Sequence, residues 1–323
     1  MIQSKIAEKR RRDTVDFYSL GMILLFFLLL PYTVSILFGG NQGKEVSVVK
    51  SDVTNGGITR ETIAGIEYIA LEEYIIGAVA ASIDVQYEEE MLKAQAIMIR
   101  TICAKAIENY GDDKKFVAEE KVELSYWSKA TMEANWGKEY EIYYEKVYQA
   151  VSDTKDLCIL YQGEFIEAAF FGLSNGNTRN AVELLGEEYG YLTAVSCEDA
   201  VLAENYLKEI SWEKNDFIKK LESMTGEEQT GEITIIIDSM EYVTSVVIGQ
   251  VEISGETFRK EFELLSSDFQ IQEVDGKIVF TTKGIGHGIG VDQYQGNVMA
   301  KNGKNYFEIL SYFYQDIEIA KYV

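Results

Sequence analysis

The stretch "EYIIGAVAASIDVQYEEEMLKAQAIMIRT", residues 73–101, decides the fold because it predicts two successive helices. One apolar stripe at helical spacing marks the first helix, and its members are Leu71, Tyr74, Ile75, Ala78, Val79 and Ser82. A second helix is expected from about Glu88 to Tyr110, since three successive glutamates suit its positive N-terminal end. Its middle, "MLKAQAIMIR", is apolar nearly all round, which indicates that this helix is buried.

Downstream of these helices the pattern changes to one typical of strands. "LCILYQGEFIEAAFFGLSNG" predicts a hairpin that turns at Gln162-Gly163, followed by an Asn-Gly turn. "EITIIIDSMEYVTSVVIGQVEISGETFRKEF" alternates like an antiparallel meander, and "NYFEILSYFYQDIEI" predicts a helix followed by a short strand. Helices grouped first and strands grouped later predict the α+β class for residues 66–323.

An uncharged apolar segment near the N-terminus, residues 17–39, is long enough to cross a bilayer as a tilted helix. Four basic residues at 9–12 precede it and no such cluster follows, so residues 1–16 are expected in the cytoplasm and the chain from about Gly40 onward outside. The segment exceeds a typical signal-peptide core, which favours an uncleaved single-pass anchor in the cell membrane over a cleaved signal. Residues 40–65 are polar and rich in glycine and threonine, typical of a stalk before the domain at 66–323.

The part expected outside the membrane is strongly acidic. The chain has a formal net charge of −23, and because its first 39 residues hold five basic and three acidic side chains, residues 40–323 carry −25. Such a surface repels nucleic acid, so no nucleic-acid partner is expected. Three widely spaced cysteines without a CxxC, together with one histidine, cannot assemble a Cys/His zinc site. We therefore expect no metal, no cofactor and no obligatory disulfide.

Lys93 and Arg100 are seven residues apart on the second predicted helix, and Glu89 shares their stripe. Two interpretations are open. Glu89 and Lys93 form an ordinary i,i+4 pair on a solvated face, worth only ~0.3 kcal/mol, or the two cations line a cleft as a basic pair.

The turn in "FFGLSNGNTRNA" also has two interpretations. Asn-Gly is a common hairpin turn with a purely structural rationale. Alternatively, the Ser174 and Thr178 hydroxyls and the Asn175 amide bind the hydroxyl groups of a sugar.

His287 is the only histidine of the chain, and it lies in "GIGHGIG", residues 284–290, where every second residue is glycine. The spacing fails the G-x-G-x-x-G nucleotide fingerprint. Glycines at alternate positions suit a strand or loop that a ligand, or another backbone, approaches closely. His287 is therefore either a buried side chain hydrogen-bonded within a glycine-rich turn or a functional loop residue.

Three stretches, in this order, resemble the SpoIID/LytB family, the stage II sporulation protein D and amidase-enhancer group. They are "EYIIGAVAASIDVQYEEEMLKAQAIMIRT", "FFGLSNGNTRNA" and "GIGHGIGVDQYQGNVMAKNGKNYFEILSYFYQ". The resemblance implies a single SpoIID-like domain with a cell-wall role during engulfment in sporulation. Its implied substrate is the peptidoglycan glycan strand stripped of stem peptides, and its implied partners are a cell-wall amidase and other membrane proteins of an engulfment complex.

The resemblance also implies site residues. The catalytic positions are Ser82, Lys93, Arg100, Tyr191 and His287. The substrate-binding positions are Gln95, Ser174, Asn175, Gly176, Thr178, Gly286, Gly288 and Gln293. Two departures from the family pattern stand out, because Ser82 occupies the position of the family's catalytic glutamate and Asp292 replaces the serine of "MSQ".

The serine at position 82 decides what activity is expected. A serine hydroxyl cannot protonate a leaving oxygen at neutral pH without a base to activate it. We therefore expect a cell-wall protein of this type with weak or lost lytic transglycosylase activity. The alternative is an active enzyme in which Asp84 or Glu89 supplies the displaced acid.

Overall fold

The computed structural model describes the chain from residue 48 onward, with short gaps. The described residues are 48–49, 56–63, 65–111, 115–226 and 233–322. The expected cytoplasmic tail 1–16 and membrane anchor 17–39 lie outside them, as does most of the expected stalk 40–65. Within the described ranges, no helix is long and apolar enough to cross a membrane.

Both helices predicted from residues 73–101 are present. The helices of the described residues are α1 Leu71–Ser82, α2 Glu89–Tyr110, α3 Lys129–Trp136, α4 Tyr140–Asp153, α5 Ala181–Leu185, α6 Lys214–Thr225, α7 Gly255–Glu261, α8 Gln293–Lys301 and α9 Tyr306–Phe313. Helix α1 coincides with the apolar stripe, and α2 begins one residue after the expected start at Glu88. From Met91 to Thr101, every residue of α2 except Lys93 is buried, which confirms the burial predicted from its apolar sequence.

The strands are β1 Val48–Val49, β2 Gly57–Thr62, β3 Gly65–Ala70, β4 Phe116–Ala118, β5 Leu157–Tyr161, β6 Glu164–Phe165, β7 Phe170–Phe171, β8 Leu207–Glu213, β9 Ile233–Ile237, β10 Val243–Ile248, β11 Val251–Ser254, β12 Asp268–Val274, β13 Lys277–Lys283, β14 Val291–Asp292 and β15 Glu318–Tyr322. Their sheets have the orders β1-β15-β5-β6, β3-β2-β4, β11-β10-β9 and β12-β13-β8, and β14 pairs with β7. The β5–β6 hairpin and the β9–β11 meander were both predicted, but the end of the stretch predicted as a meander, Gly255–Glu261, forms helix α7. This mixture of helices and sheets agrees with the α+β class.

Strand β2 lies within the segment expected to be a stalk. It pairs antiparallel with β3 and parallel with β4, and its Ile58 is completely buried. The hairpin of β2 and β3 therefore belongs to the folded part of the chain, which starts before residue 66.

Two apolar cores organise the described residues. The larger core surrounds α2, which packs against α1, α4, α9 and β5. The smaller core lies among β8, α6, β10, α7, β12 and β13, and its largest buried members are Phe217, Phe258, Phe262, Phe269 and Phe280. The site residues expected from the sequence lie in and around the larger core, on α1, α2 and α8 and in the loops after α1, β7, α5 and β13.

Candidate functional site

Three of the expected site residues meet where α1 ends. The Ser82 hydroxyl donates to the Ala78 carbonyl oxygen at 2.7 Å, a bond within its own helix. The Gln95 amide nitrogen lies 3.4 Å from the Ser82 hydroxyl oxygen. The Gln293 amide donates to the Ser82 carbonyl oxygen at 2.8 Å and to the Gln95 side-chain oxygen at 3.1 Å. These hydrogen bonds connect the end of α1 to α2 through Gln95 and to α8 through Gln293. Both glutamine side chains are buried, which strengthens the bonds.

Arg100 is a buried residue of the larger core. Its guanidinium donates to both carboxylate oxygens of Glu72, each at 2.8 Å, which is the bidentate geometry that arginine favours. It also donates to the carbonyl oxygens of Val151 at 3.1 Å and Leu157 at 3.3 Å. With 2% of its surface exposed and its donors used inside the protein, Arg100 ties α2 to α1, α4 and β5.

Lys93 forms the i,i+4 pair that the simpler interpretation predicted. Its ammonium lies 2.7 Å from Glu89, 3.2 Å from Glu90 and 3.1 Å from Asp153. Burial disfavours the charged form, but hydrogen bonds with these three carboxylates outweigh it and raise the pKa of Lys93 above its usual value. Lys93 and Arg100 are therefore both paired with carboxylates of the chain itself.

The Ser174–Thr178 turn is engaged within the protein. The Ser174 amide donates to the Asp292 carboxylate at 2.9 Å, and the Thr178 hydroxyl accepts from the Val195 amide at 2.9 Å. The Asn175 side chain donates to the Met240 carbonyl oxygen and to the Asp268 carboxylate, at 2.8 and 2.9 Å. Ser174 and Thr178 are buried, so their hydroxyls are not exposed to a sugar.

The four glycines around His287 allow other parts of the chain to pack closely against this segment. All four have positive φ, with 80° at Gly284 and 83° at Gly290. A side chain at Gly290 would overlap the Ala169 carbonyl oxygen, and one at Gly284 would overlap the Leu173 carbonyl oxygen. Gly286 and Gly288 were expected to bind substrate. The space where a side chain would lie is already filled by Phe171 at Gly286 and by Tyr242 at Gly288.

His287 is hydrogen-bonded to the backbone on both sides of its ring. Its Nδ1 accepts from the Ile289 amide at 3.1 Å, and the ring also bonds the backbone of Phe170. Burial is the main reason that its pKa is lowered from the usual 6.5, and the nearby guanidinium of Arg179 acts in the same direction. A neutral imidazole held by two backbone groups matches the structural interpretation of the "GIGHGIG" stretch.

Two other residues of interest are buried. The Tyr191 hydroxyl accepts from the Glu167 amide at 2.8 Å, and burial raises its pKa well above the usual value. Asp292 is completely buried at the N-terminus of α8, where its carboxylate accepts from the Gln295 amide at 3.0 Å. Burial raises the pKa of Asp292, although the backbone amides at the helix start oppose this.

A cleft of about 420 Å³ opens beside the loop that follows α1. Its apolar and aromatic lining consists of Tyr87, Gly172, Leu173, Ala203, Ile285 and Tyr294. Its polar lining consists of Asp84, Gln86, Asn205, Asn297 and Lys301. This combination of apolar walls and a few polar groups, at this size, is typical of a small-molecule site. Of the residues expected from the sequence, Asp84 alone contributes to its lining.

The α8 side of this cleft was not predicted from the sequence. Tyr294, Asn297 and Lys301 follow the glycine-rich motif at positions i, i+3 and i+7, so they share one face of α8. That spacing was visible in the sequence. In the loop after α1, burial raises the pKa of Tyr87 to about 12, and the neighbouring carboxylate of Asp84 adds to the effect. Tyr87 therefore remains a neutral hydroxyl at physiological pH.

A larger pocket of about 520 Å³ lies at β2, β4 and the segment after β4. Its charged lining consists of Arg60 and four glutamates, and Arg60 is paired with Glu119 at 3.1 Å. It contains none of the residues that the sequence motifs single out. The smaller cleft beside α1 is therefore the better candidate for the functional site.

Two known proteins and one family model are similar to most or part of this chain. A family model described as SpoIID, Stage II sporulation protein, matches residues 59–161. The chain is 31% identical over 285 residues to the Stage II sporulation protein D of Bacillus amyloliquefaciens, covering 87% of this chain and 82% of that protein. It is 31% identical over 326 residues to the Stage II sporulation protein D of Bacillus subtilis (strain 168), covering 94% and 95%.

A more distant match, 26% identical over 268 residues, is an uncharacterized protein of Brachyspira hyodysenteriae, with coverage of 81% of this chain and 70% of that protein. The two Bacillus relatives are covered over 82% and 95% of their own lengths. The chain belongs to the stage II sporulation protein D family, and the resemblance inferred from its motifs is confirmed.

Proposed function

We propose that this protein acts on the cell wall during sporulation by binding and remodelling peptidoglycan glycan strands, with weak or no lytic transglycosylase activity. Membership of the stage II sporulation protein D family supports the sporulation and cell-wall parts of the proposal. In this proposal residues 17–39 anchor the chain in the cell membrane, and the domain lies on the outer side. A cell-wall amidase and other membrane proteins of an engulfment complex are its proposed partners.

The observation that carries the proposal is the environment of Ser82. A lytic transglycosylase needs one carboxyl group, which protonates the glycosidic oxygen and then, as carboxylate, takes the proton from the C6 hydroxyl that attacks C1. At the corresponding position this chain has a hydroxyl that already donates to the Ala78 carbonyl oxygen. Its side-chain neighbours in the cluster are the amides of Gln95 and Gln293, and none of the three groups can act as an acid at neutral pH.

An active enzyme with a displaced acid is the second candidate, and one observation favours it. Asp84 lines the cleft two residues after Ser82. Its carboxylate accepts from the Gln86 amide at 2.9 Å, and its side chain is exposed, whereas a catalytic acid ordinarily lies in an apolar site. Glu89 is the weaker choice, because it is paired with Lys93 and does not line the cleft.

The test compares variants of the full-length chain on glycan strands stripped of stem peptides, with mass spectrometry of anhydro-sugar ends as the readout. We expect few or no anhydro ends from the natural chain. Ser82→Glu restores a carboxyl group where the family has one, and we expect it to release at least about tenfold more ends. Ser82→Gln is the matched control, since it has nearly the same size but no acidic proton.

Asp84→Asn separates the two candidate functions. If the natural chain releases anhydro ends at a rate comparable to Ser82→Glu, and Asp84→Asn abolishes them, the displaced-acid enzyme is correct and our proposal of weak or lost activity is wrong. If neither the natural chain nor Ser82→Glu binds or cuts the strands, the assignment of glycan as ligand is wrong as well. Thermal unfolding of each variant shows whether a loss of activity is a loss of fold.

A further inference from the structure

The edge strands of two neighbouring sheets line one gap. β9 is an edge of the β11-β10-β9 sheet, and β12 is an edge of the β12-β13-β8 sheet. The sheets are joined at one end, where the Val243 amide donates to the Ser267 carbonyl oxygen at 2.8 Å. Beyond that end no backbone pairing joins β9 to β12 among the described residues, and a gap of about 440 Å³ opens. Successive residues of β12, 268–272, line it, which places the gap along the edge of that strand rather than on one face.

The gap leaves the smaller core partly uncovered. Ile235 of β9 and Ile271 of β12 pack against that core and line the gap, yet both are only half-buried. Ile237 lies on the same side of β9 as Ile235, because side chains two positions apart point the same way, and it is 54% exposed. An extended segment in the gap would cover these three isoleucines with its alternate side chains.

β9 lacks the features that ordinarily protect an exposed edge strand. Its sequence, "ITIII" at residues 233–237, has no charge and no proline. Ile236, on the side opposite to Ile235 and Ile237, is itself 44% exposed. An apolar edge of this kind is a ready template for pairing with another strand. In a chain with a net charge of −23, such an edge indicates a binding surface.

The two edges also decide which kind of strand fits between them. A strand in the middle of a sheet forms hydrogen bonds on both sides, so both sides of its backbone must be free beforehand. β9 and β12 of a second copy do not meet this requirement, because each is already paired on one side. An extended tail or loop of a different protein does meet it.

The charges at the gap indicate a basic segment. Glu241, Asp268 and Lys283 are its charged lining. The Lys283 ammonium lies 3.7 Å from the Glu241 carboxylate and 3.8 Å from the Asp268 carboxylate, so one cation serves two anions. The strongly acidic chain as a whole favours a cationic partner in the same way.

We propose that the gap between β9 and β12 is a docking site for an extended, basic segment of a partner protein, which joins the two sheets into one continuous sheet by adding a strand. β9 runs toward the joined end and β12 away from it, so the added strand is parallel to one of them and antiparallel to the other. The Asn175 side chain bonds the Asp268 carboxylate at 2.9 Å, which places the docked segment close to the Ser174–Thr178 turn. The site is independent of the glycan ligand.

The experiment measures binding of a labelled synthetic peptide to the solubilised full-length chain by fluorescence anisotropy. The probe alternates valine and threonine over about seven residues, an ordinary strand length, with a lysine at each end. The control peptide has a proline at its centre, which removes a donor that strand pairing needs. We expect the natural chain to bind the probe at least about tenfold more tightly than the control peptide.

Ile237→Lys places a charge in the gap and should weaken binding of the probe about tenfold or more. Val274→Lys is the matched control, since Val274 is an apolar residue of β12 that is 46% exposed and lies outside the gap. That variant should bind the probe like the natural chain. Thermal unfolding of both variants shows whether a loss of binding is a loss of fold.

Backbone hydrogen exchange of the natural chain locates the bound probe without any substitution. The probe should slow exchange in β9 and β12 together and leave β11 unchanged. Protection of β9 alone, or of neither strand, would contradict insertion between the two edges. Equal binding of both peptides, or of neither, would show that the docking site is wrong. A dimer of the natural chain in sedimentation that Ile237→Lys converts into a monomer would replace the partner segment with a second copy as occupant.

Discussion

Arg100 in the middle of α2 and Lys301 at the end of α8 are both cations close to sequence motifs, yet their surroundings are opposite. Arg100 is buried and bonds one carboxylate and two backbone carbonyl groups. Lys301 is exposed in a cleft and has no carboxylate partner among the described residues. The comparison teaches that a cation placed by a conspicuous motif can serve the fold, as Arg100 does, whereas Lys301 keeps its charge exposed beside the cleft.

Replacing Arg100 should cause the largest loss of stability. Arg100→Ala leaves the Glu72 carboxylate without its partner and removes donors from two buried carbonyl groups, so we expect a loss of about 3–5 kcal/mol in the free energy of unfolding. Urea unfolding followed by circular dichroism measures it. Arg100→Lys should recover only part of the loss, because an ammonium cannot make the bidentate contact. Native stability combined with lost glycan binding would show instead that Arg100 contacts the ligand.

Substitution in the glycine-rich segment should cause the next largest loss of stability. Gly290 and Gly303 form a matched pair for testing it. Gly290 and Gly303 have nearly the same φ, 83° and 84°, but an added methyl group overlaps the Ala169 carbonyl oxygen at Gly290 and meets nothing within 4 Å at Gly303. Gly303→Ala should cost about 1 kcal/mol, the conformational penalty alone. Gly290→Ala should cost about 3 kcal/mol or more, because the penalty and the overlap add.

Urea unfolding of both variants checks this prediction. Equal losses at the two positions would mean that the segment relaxes away from residues 169–174 without cost. That result would reopen the interpretation in which the glycines leave room for a ligand.

Replacing His287 should cause the smallest change in stability, and only at acidic pH. Its pKa is lowered in the folded protein, chiefly by burial, so the unfolded chain binds the proton first as the pH falls below 6.5. Stability from this group is therefore complete above 6.5 and declines on the acidic side. His287→Gln should show a weaker decline in the free energy of unfolding between pH 7 and pH 5. Identical pH dependence in both proteins would mean that the imidazole titrates alike in the folded and unfolded states.

Much of the fold could be predicted because the deciding signals are local. The apolar stripe of α1, the nearly continuous apolar surface of α2 and the hairpin turn at Gln162-Gly163 depend on neighbours within a few residues, and all three are present. The β2 strand was missed, because its polar and glycine-rich sequence resembles a linker. Its pairing with β4 depends on residues nearly sixty positions away.

The sequence says less about the candidate site, for the same physical reason. Alternate glycines indicate a close approach, but the sequence does not say that the approaching backbone is residues 169–174 rather than a ligand. A helical stripe places Lys93 and Arg100 on one face, but the carboxylate partner of Arg100 comes from a different helix, α1. Only Asp84 was both expected at the site and found in the cleft. Lys301 and Asn297 become visible as a pair once α8 is placed beside the loop after α1.

The position of strand β15 in its sheet determines when that sheet can form during synthesis. It is central in its sheet, with Lys321 opposite Val48 of β1 and Ile319 opposite Ile159 of β5. Synthesis delivers β1 and β5 early and β15 late, so both earlier strands present unpaired edges until nearly all of the domain has emerged. The sheet then closes in one late step that joins the two ends of the domain. A nascent chain of this protein therefore has a long interval in which its edges need protection from other strands.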